Sequence, residues 1–252
     1  MANTSKKSLG VGIALAVSFL VVLLLIFSPI FGEGKNGLVF ADDLFNKLSK
    51  GSSYFIPKVA KENEKFMGRM FTVSIKMSKP EDKQPADGEK RAERAAKLFT
   101  VNPGAKVEVI GSELKLEGDL GLVLKAALED SDVMFKNEGE KLKAKYEVAM
   151  GTDDVKQIFR QWNNTLPKIS KEFAKEKKIE ESKIVSAVTK KAVETSYNYY
   201  GVEAQKVSKK ALLMTFLLVF YVAYTMWWGF AIFFIFDGIG LTMSKSKVKK
   251  EA

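Results

Sequence analysis

The chain has 252 residues, with 40 Lys plus Arg against 30 Asp plus Glu, a formal charge of +10, and neither His nor Cys. That composition excludes Ser-His-Asp and Cys-His nucleophile systems, zinc fingers, iron–sulfur clusters, His- or thiolate-bound haem and every disulfide. A chain without Cys is allowed on either side of a membrane, so the redox compartment stays open.

Two long apolar blocks flank a charged middle. No charge occurs from Leu9 to Phe31, and Ile13 to Phe27 is almost wholly Leu, Val, Ile, Ala and Phe. An uncharged run of this length can cross a hydrocarbon core of roughly 30 Å. A cleaved signal peptide competes with an anchor here, because Lys6 and Lys7 form a basic start and Val39-Phe40-Ala41 has small residues at a cleavage-like spacing. The apolar run exceeds the roughly 7–15 residues of a signal core, and Glu33-Gly34-Lys35 separates it from that spacing. An uncleaved anchor is therefore expected over 9–31. The second block, Ala211 to Phe236, has 26 uncharged residues between Lys209-Lys210 and Asp237-Gly238. As a helix it would reach about 39 Å, so it must tilt, protrude or bend back along the surface.

Orientation follows from Lys and Arg near the spans. Lys6, Lys7, Lys245, Lys247, Lys249 and Lys250 lie on the terminal sides, against Lys35, Lys206, Lys209 and Lys210 on the inner sides. Six against four places both termini in the cytoplasm of a two-pass inner (plasma) membrane protein. The expected layout is a basic N-terminus 1–8, a span 9–31, an extracytoplasmic domain 32–210, a span 211–236 and a Lys-rich tail 237–252. The domain carries 34 basic and 28 acidic residues with no concentrated basic block, which argues against nucleic acid as a partner.

Within the domain, Leu44, Phe45 and Leu48 have helical spacing before the Gly51-Ser52-Ser53 stop, and a second short helix is expected from about Pro57 to Met67. In Met70–Met77, Phe71, Val73, Ile75 and Met77 alternate with Thr72, Ser74 and Lys76, the pattern of a half-buried strand. Residues 78–90, with Pro80, Pro85 and Gly88, read as a solvated loop before a helix over 89–99. After Asn102-Pro103-Gly104, two alternating runs across Gly111-Ser112 predict a β-hairpin. Leu120–Phe135 carries one helical stripe, with Asp119 as its N-cap. From Lys141 to Met150, Leu142, Ala144, Tyr146, Val148 and Met150 alternate with polar residues and predict a fourth strand.

Helical periods resume at Asp153. Pro167 is expected to kink or restart the first helix, a break is expected near Lys177-Lys178, and the last helix reaches Gly201 and runs on into the second span. The fold class is thus α+β: two transmembrane helices flanking a domain with a small, mainly antiparallel four-stranded sheet and several helices.

No phosphate-binding loop, dinucleotide fingerprint or G-x-S-x-G elbow is present, and Gly32-Glu33-Gly34-Lys35 lacks the spacing of a phosphate cradle. Ser112 with Lys115, and Ser244 with Lys247, match Ser-x-x-Lys, but one falls on a hairpin and the other in a basic tail. Asp130, Asp132, Asn137 and Glu138 lack calcium-loop spacing and read as a solvated helix end. Asn163-Asn164-Thr165 is a glycosylation sequon beside the apolar Trp162. No catalytic residue, metal ligand or cofactor is therefore expected.

The second apolar block carries the strongest signal. Ten of its 26 residues are aromatic, and Phe216, Phe220, Tyr224 and Trp228 recur at steps of four, forming a ridge for helix packing. Trp227 and Trp228 read as interfacial anchors, with Gly229–Gly240 continuing along the membrane surface. In the first block, Gly10, Ala14 and Ser18 form a small-residue line, and Gly12 and Ala16 a second beside it. Lys245, Lys247, Lys249 and Lys250 suit anionic lipid. The expectation is a non-catalytic, membrane-anchored accessory or scaffolding subunit of a cell-envelope complex, contacting lipid and either other membrane subunits or copies of itself. The competing class is a subunit of a redox or transport complex whose aromatic ridge contacts a quinone or lipid.

Overall fold

The computed structural model describes the backbone of residues 2–241 and the side chains of residues 6–241. Lys245, Lys247, Lys249 and Lys250, and with them Ser244, lie outside the described residues. In chain order the elements are α1 (Ala2–Phe27), α2 (Gly37–Ser52), α3 (Ile56–Asn63), β1 (Met70–Lys76), α4 (Pro85–Val101), β2 (Ala105–Ile110) and β3 (Glu113–Asp119). They continue with α5 (Leu120–Phe135), α6 (Gly139–Met150), α7 (Val155–Lys175), α8 (Ile179–Val188), α9 (Glu194–Asn198) and α10 (Ala211–Gly238). The chain divides into two compact units, residues 1–48 with 205–252, and residues 49–204.

In the first unit, two helices are long and apolar enough to cross a membrane, Lys6–Phe27 and Val207–Gly238. The first helix stops at Phe27, four residues short of the expected limit, because Pro29 disfavours helical backbone at Ser28. Ser28 Oγ then bonds Leu24 O at 2.7 Å, closing the last turn. Lys35 bridges Glu33 and Asp43, each at 3.0 Å, and Asp43 also takes Lys47 at 3.2 Å, which fixes the turn ahead of α2. These hydrogen bonds raise the pKa of Lys35 and lower that of Asp43. Gln205 N donates to Lys47 O at 3.0 Å, so the returning chain runs beside α2.

In the second unit, a three-stranded antiparallel sheet has the order β1-β3-β2. Val73 opposes Leu116 and Ile75 opposes Leu114, and all four are buried on one face. Helices cover that face: Phe71 meets Phe173 of α7 edge-on at 5.9 Å, and Phe99 of α4 meets Trp162 of α7 at 5.7 Å. Thr72, Ser74 and Lys76 occupy the opposite, exposed face of β1. As expected from the sequence, Asp119 caps α5, accepting from Leu122 N at 3.2 Å, and it also accepts from Gly68 N at 2.7 Å.

The expected fourth strand is helix α6. Its alternation is satisfied by a helix because only Leu142 and Tyr146, four residues apart, are buried, while Val148 is 98% exposed. The Lys, Glu and Ala residues between them favour helix over strand. Pro167 sits inside an unbroken α7 and restarts nothing. The run into the second apolar helix is not continuous either. A π turn, Thr189–Val193, joins α8 to α9, then Gly201 takes φ 87° and an irregular segment with a 3-10 turn at Val207–Lys210 precedes α10.

Candidate functional site: an aromatic helix hairpin

Helices α1 and α10 pair antiparallel, with Leu9 against Gly238, Gly12 against Ile235 and Phe19 against Tyr224. On α10, Leu213, Leu217, Phe220, Tyr224, Trp227, Ala231, Phe234 and Gly238 are at least partly covered, at alternating steps of four and three. On α1 the matching positions are Gly12, Leu15, Phe19, Val22 and Ile26. This period of 3.5 is the one that keeps a seam facing its partner along a left-handed helix pair.

The seam revises the readings of individual residues. Gly12 and Ala16 form the small-residue line that meets α10, whereas Gly10 and Ala14 are exposed and nothing lies within 4 Å of a Cβ built on Gly10. A Cβ at Gly12 would fall 2.6 Å from Ile235 N, and one at Gly238 would fall 2.6 Å from Leu9. Only glycine permits the backbones to approach so closely. Ser18 is half-buried, and its hydroxyl bonds Leu15 O at 2.9 Å.

The line of aromatic residues on α10 crosses the seam obliquely. A step of four residues advances about 40° beyond a full turn, so four such residues drift around the helix. Phe216 is accordingly 61% exposed and Trp228 40%, while Phe220 and Tyr224 are half-buried. Phe216 stacks on Phe220 with centroids 6.2 Å apart, and Phe220 on Tyr224 at 5.6 Å. Phe19 then stacks on Tyr224 at 4.2 Å and tilts against Trp228 at 4.6 Å. Periodicity within one helix could not reveal Phe19, because its partners are distant in sequence.

Trp227 Nε1 donates to Leu15 O at 3.1 Å, in the middle of α1. Trp227 and Trp228 thus pack beside the central turns of the partner helix rather than at an end. Residues 229–238 are the same helix, packed back on Gly12 and Leu9, and not a segment turning away along a surface. The outer faces of the pair carry Val17, Leu20, Val21, Leu24, Leu218, Val222 and Phe230, all exposed.

The second unit holds two buried polar clusters that sequence reasoning missed. Asp130 of α5 is 3% exposed and not a solvated helix end. Its carboxylate accepts from Trp162 Nε1 at 2.8 Å, from Lys145 Nζ at 2.7 Å and from the Tyr146 hydroxyl. Asn102 Nδ2 donates to that hydroxyl and to Leu98 O. Burial, then the Asp130 charge, push the Tyr146 pKa far above its ordinary value, so the phenol stays a donor. The cluster braces α4, α5, α6 and α7 together. The other two acids of that set lie at the surface, Asp132 accepting from Tyr54 at 2.5 Å and from Lys136, and Glu138 from Lys141.

Lys50 is the second case. It is 2% exposed, with Nζ donating to Asn137 Oδ1 at 2.9 Å, Tyr199 O at 3.0 Å and Val202 O at 2.6 Å. All three protons are satisfied by neutral oxygens, and burial lowers its pKa. Asn137, at φ 62°, also accepts from Gly201 N and donates to Val202 O. The clamp therefore joins the first and last turns of this unit. Of the motifs set aside above, Lys115 approaches Glu108 at 4.0 Å, and the sequon's Thr165 is buried with its hydroxyl on Gln161 O.

Comparison with known proteins finds no matching family model, no similar curated protein and no similar solved structure.

Proposed function

We propose that the chain is a non-catalytic, membrane-anchored accessory or scaffolding subunit of a cell-envelope complex, its hairpin spanning an inner membrane and its α+β domain presented outside the cytoplasm. The observation that carries this reading is the hairpin itself. Its two helices satisfy each other along one seam and turn large apolar side chains outward on every other side. Water would penalise that surface, whereas lipid tails solvate it. From Leu9 to Phe27 the first helix rises about 28 Å, matching a hydrocarbon core of about 30 Å. Antiparallel pairing supports a reading with both termini on one side, as does the Lys bias at the ends.

Its mechanism is geometric: a domain anchored in the membrane through both of its ends is restricted in height and rotation, and in the hairpin unit the outgoing and returning segments are joined by Gln205 N donating to Lys47 O. The redox alternative needs a flat ligand against the ridge. Phe19 already stacks on Tyr224, which favours a self-sealed hairpin over a quinone surface.

The test uses the absence of Cys. Val148→Cys, on a fully exposed position of α6, should react with an impermeant thiol reagent added to intact cells. Labelling only after membrane rupture would overturn the orientation. Extraction in mild detergent should in addition recover stable partner chains or a homo-oligomer, and a lone monomer would overturn the scaffold reading.

A further inference from the structure

At the end of β1 a cleft of about 650 Å³ opens between the strand, the turn after it and the flank of α7. Four lysines line it from three places: Lys76 on β1, Lys79 in the turn, and Lys168 and Lys171 on α7. Among the described residues none of the four lies within ion-pair distance of a carboxylate, whereas Lys115, Lys145 and Lys175 all reach one. Glu113 and Glu172 are the cleft's acids, and Glu172 is held by Lys175 at 2.7 Å. Four cations against two carboxylates leave a local charge of +2.

The cations are positioned rather than splayed into solvent. Lys168 is half-buried and donates to Lys76 O at 2.6 Å. That carbonyl faces the open edge of β1, which pairs only with β3, and the Lys76 N–H faces the same way. Ser74 and Ser78 add hydroxyls. Burial, followed by the charges of Arg91, Lys79 and Lys171, lowers the pKa of Lys168, with Asp82 opposing them more weakly.

We propose that this cleft binds a phosphate dianion, carried by a soluble molecule or by a lipid headgroup. Separate ammonium point charges suit tetrahedral phosphate oxygens approached from several directions, whereas a planar carboxylate is better matched by a guanidinium fork. The charge of +2 balances a dianion.

The experiment titrates the full-length protein, in nanodiscs of phosphatidylcholine at low ionic strength, with inorganic phosphate by calorimetry. Saturable binding that weakens with added salt is expected. Lys168→Gln with Lys171→Gln should weaken it about tenfold or more, as should Lys79→Gln with Lys171→Gln, which leaves the Lys168 hydrogen bond intact. Lys141→Gln with Lys143→Gln, the same charge change on α6, should leave affinity unchanged. Absence of saturable binding, or an equal loss in the α6 control, overturns the proposal. Vesicles containing phosphatidic acid identify the source: displacement of phosphate assigns a headgroup, and persistence of bound phosphate assigns a soluble ligand.

Discussion

Asp130 shows how one residue can hold several helices at once. Three donors converge on a carboxylate that is almost wholly removed from water, so the charge is tolerable only while all three remain. Asp130→Asn keeps the shape but turns an N–H toward a donor. The expected cost is about 3 kcal/mol, read as a lowered urea midpoint of the soluble unit. Lys50 makes the complementary case for a buried cation. Its folded pKa lies below the ordinary 10.5, so at neutral pH folding carries the cost of burying the charge. As pH rises through the folded value toward 10.5 the unfolded chain binds more protons, and stability increases. Lys168 acts in the same direction, while the raised pKa values of Lys35 and Lys136 withdraw stability only above 10.5. Urea titrations between about pH 8 and pH 10 should show this rise, and Lys50→Met should flatten it. An equal slope in the variant would remove Lys50 as its origin.

At the scale of elements, the hairpin seam depends on two close approaches. Gly12→Leu should drive α1 from α10 and destabilise their pairing by about 1–3 kcal/mol, because a Cβ there meets backbone rather than a flexible side-chain end. Gly10→Leu, two residues away, has open space and should be silent. Melting in detergent followed by tryptophan emission separates them, and equal effects would mean that the seam is misassigned. The contrast explains what the sequence could reveal. Both small-residue lines were visible, but which one meets a partner depends on a second helix some 200 residues away in the chain. Helix α5 and its Asp119 cap were legible because cap and stripe are local. Helix α6 was not, since Leu142 and Tyr146 satisfy both a period of two and a step of four, and only burial of one pair with exposure of Val148 separates them. Asp130 and Lys50 were illegible for a related reason: a charged residue in sequence resembles a solvated one until its distant acceptors or donors are known.

For the molecule as a whole, the apolar core has a consequence for folding. Every residue of the main buried cluster, from Ile56 to Val193, lies within 49–204, and the Lys50 clamp closes that segment on Tyr199 and Val202 near its end. A stretch of this length, with its own core and its ends bonded together, meets the physical requirements of an independent domain. A fragment of residues 49–204 should therefore be soluble and unfold cooperatively, with Trp162, its only tryptophan, emitting as a buried indole. Calorimetry of the fragment alone should give one transition whose calorimetric and van't Hoff enthalpies agree. Lys50→Ala in that fragment should lower its stability by about 2 kcal/mol, because it leaves buried carbonyls unpaired. A fragment with helical circular dichroism but no cooperative transition would show instead that the domain needs the hairpin in order to fold, and the hairpin would then be part of the folding unit as well as an anchor.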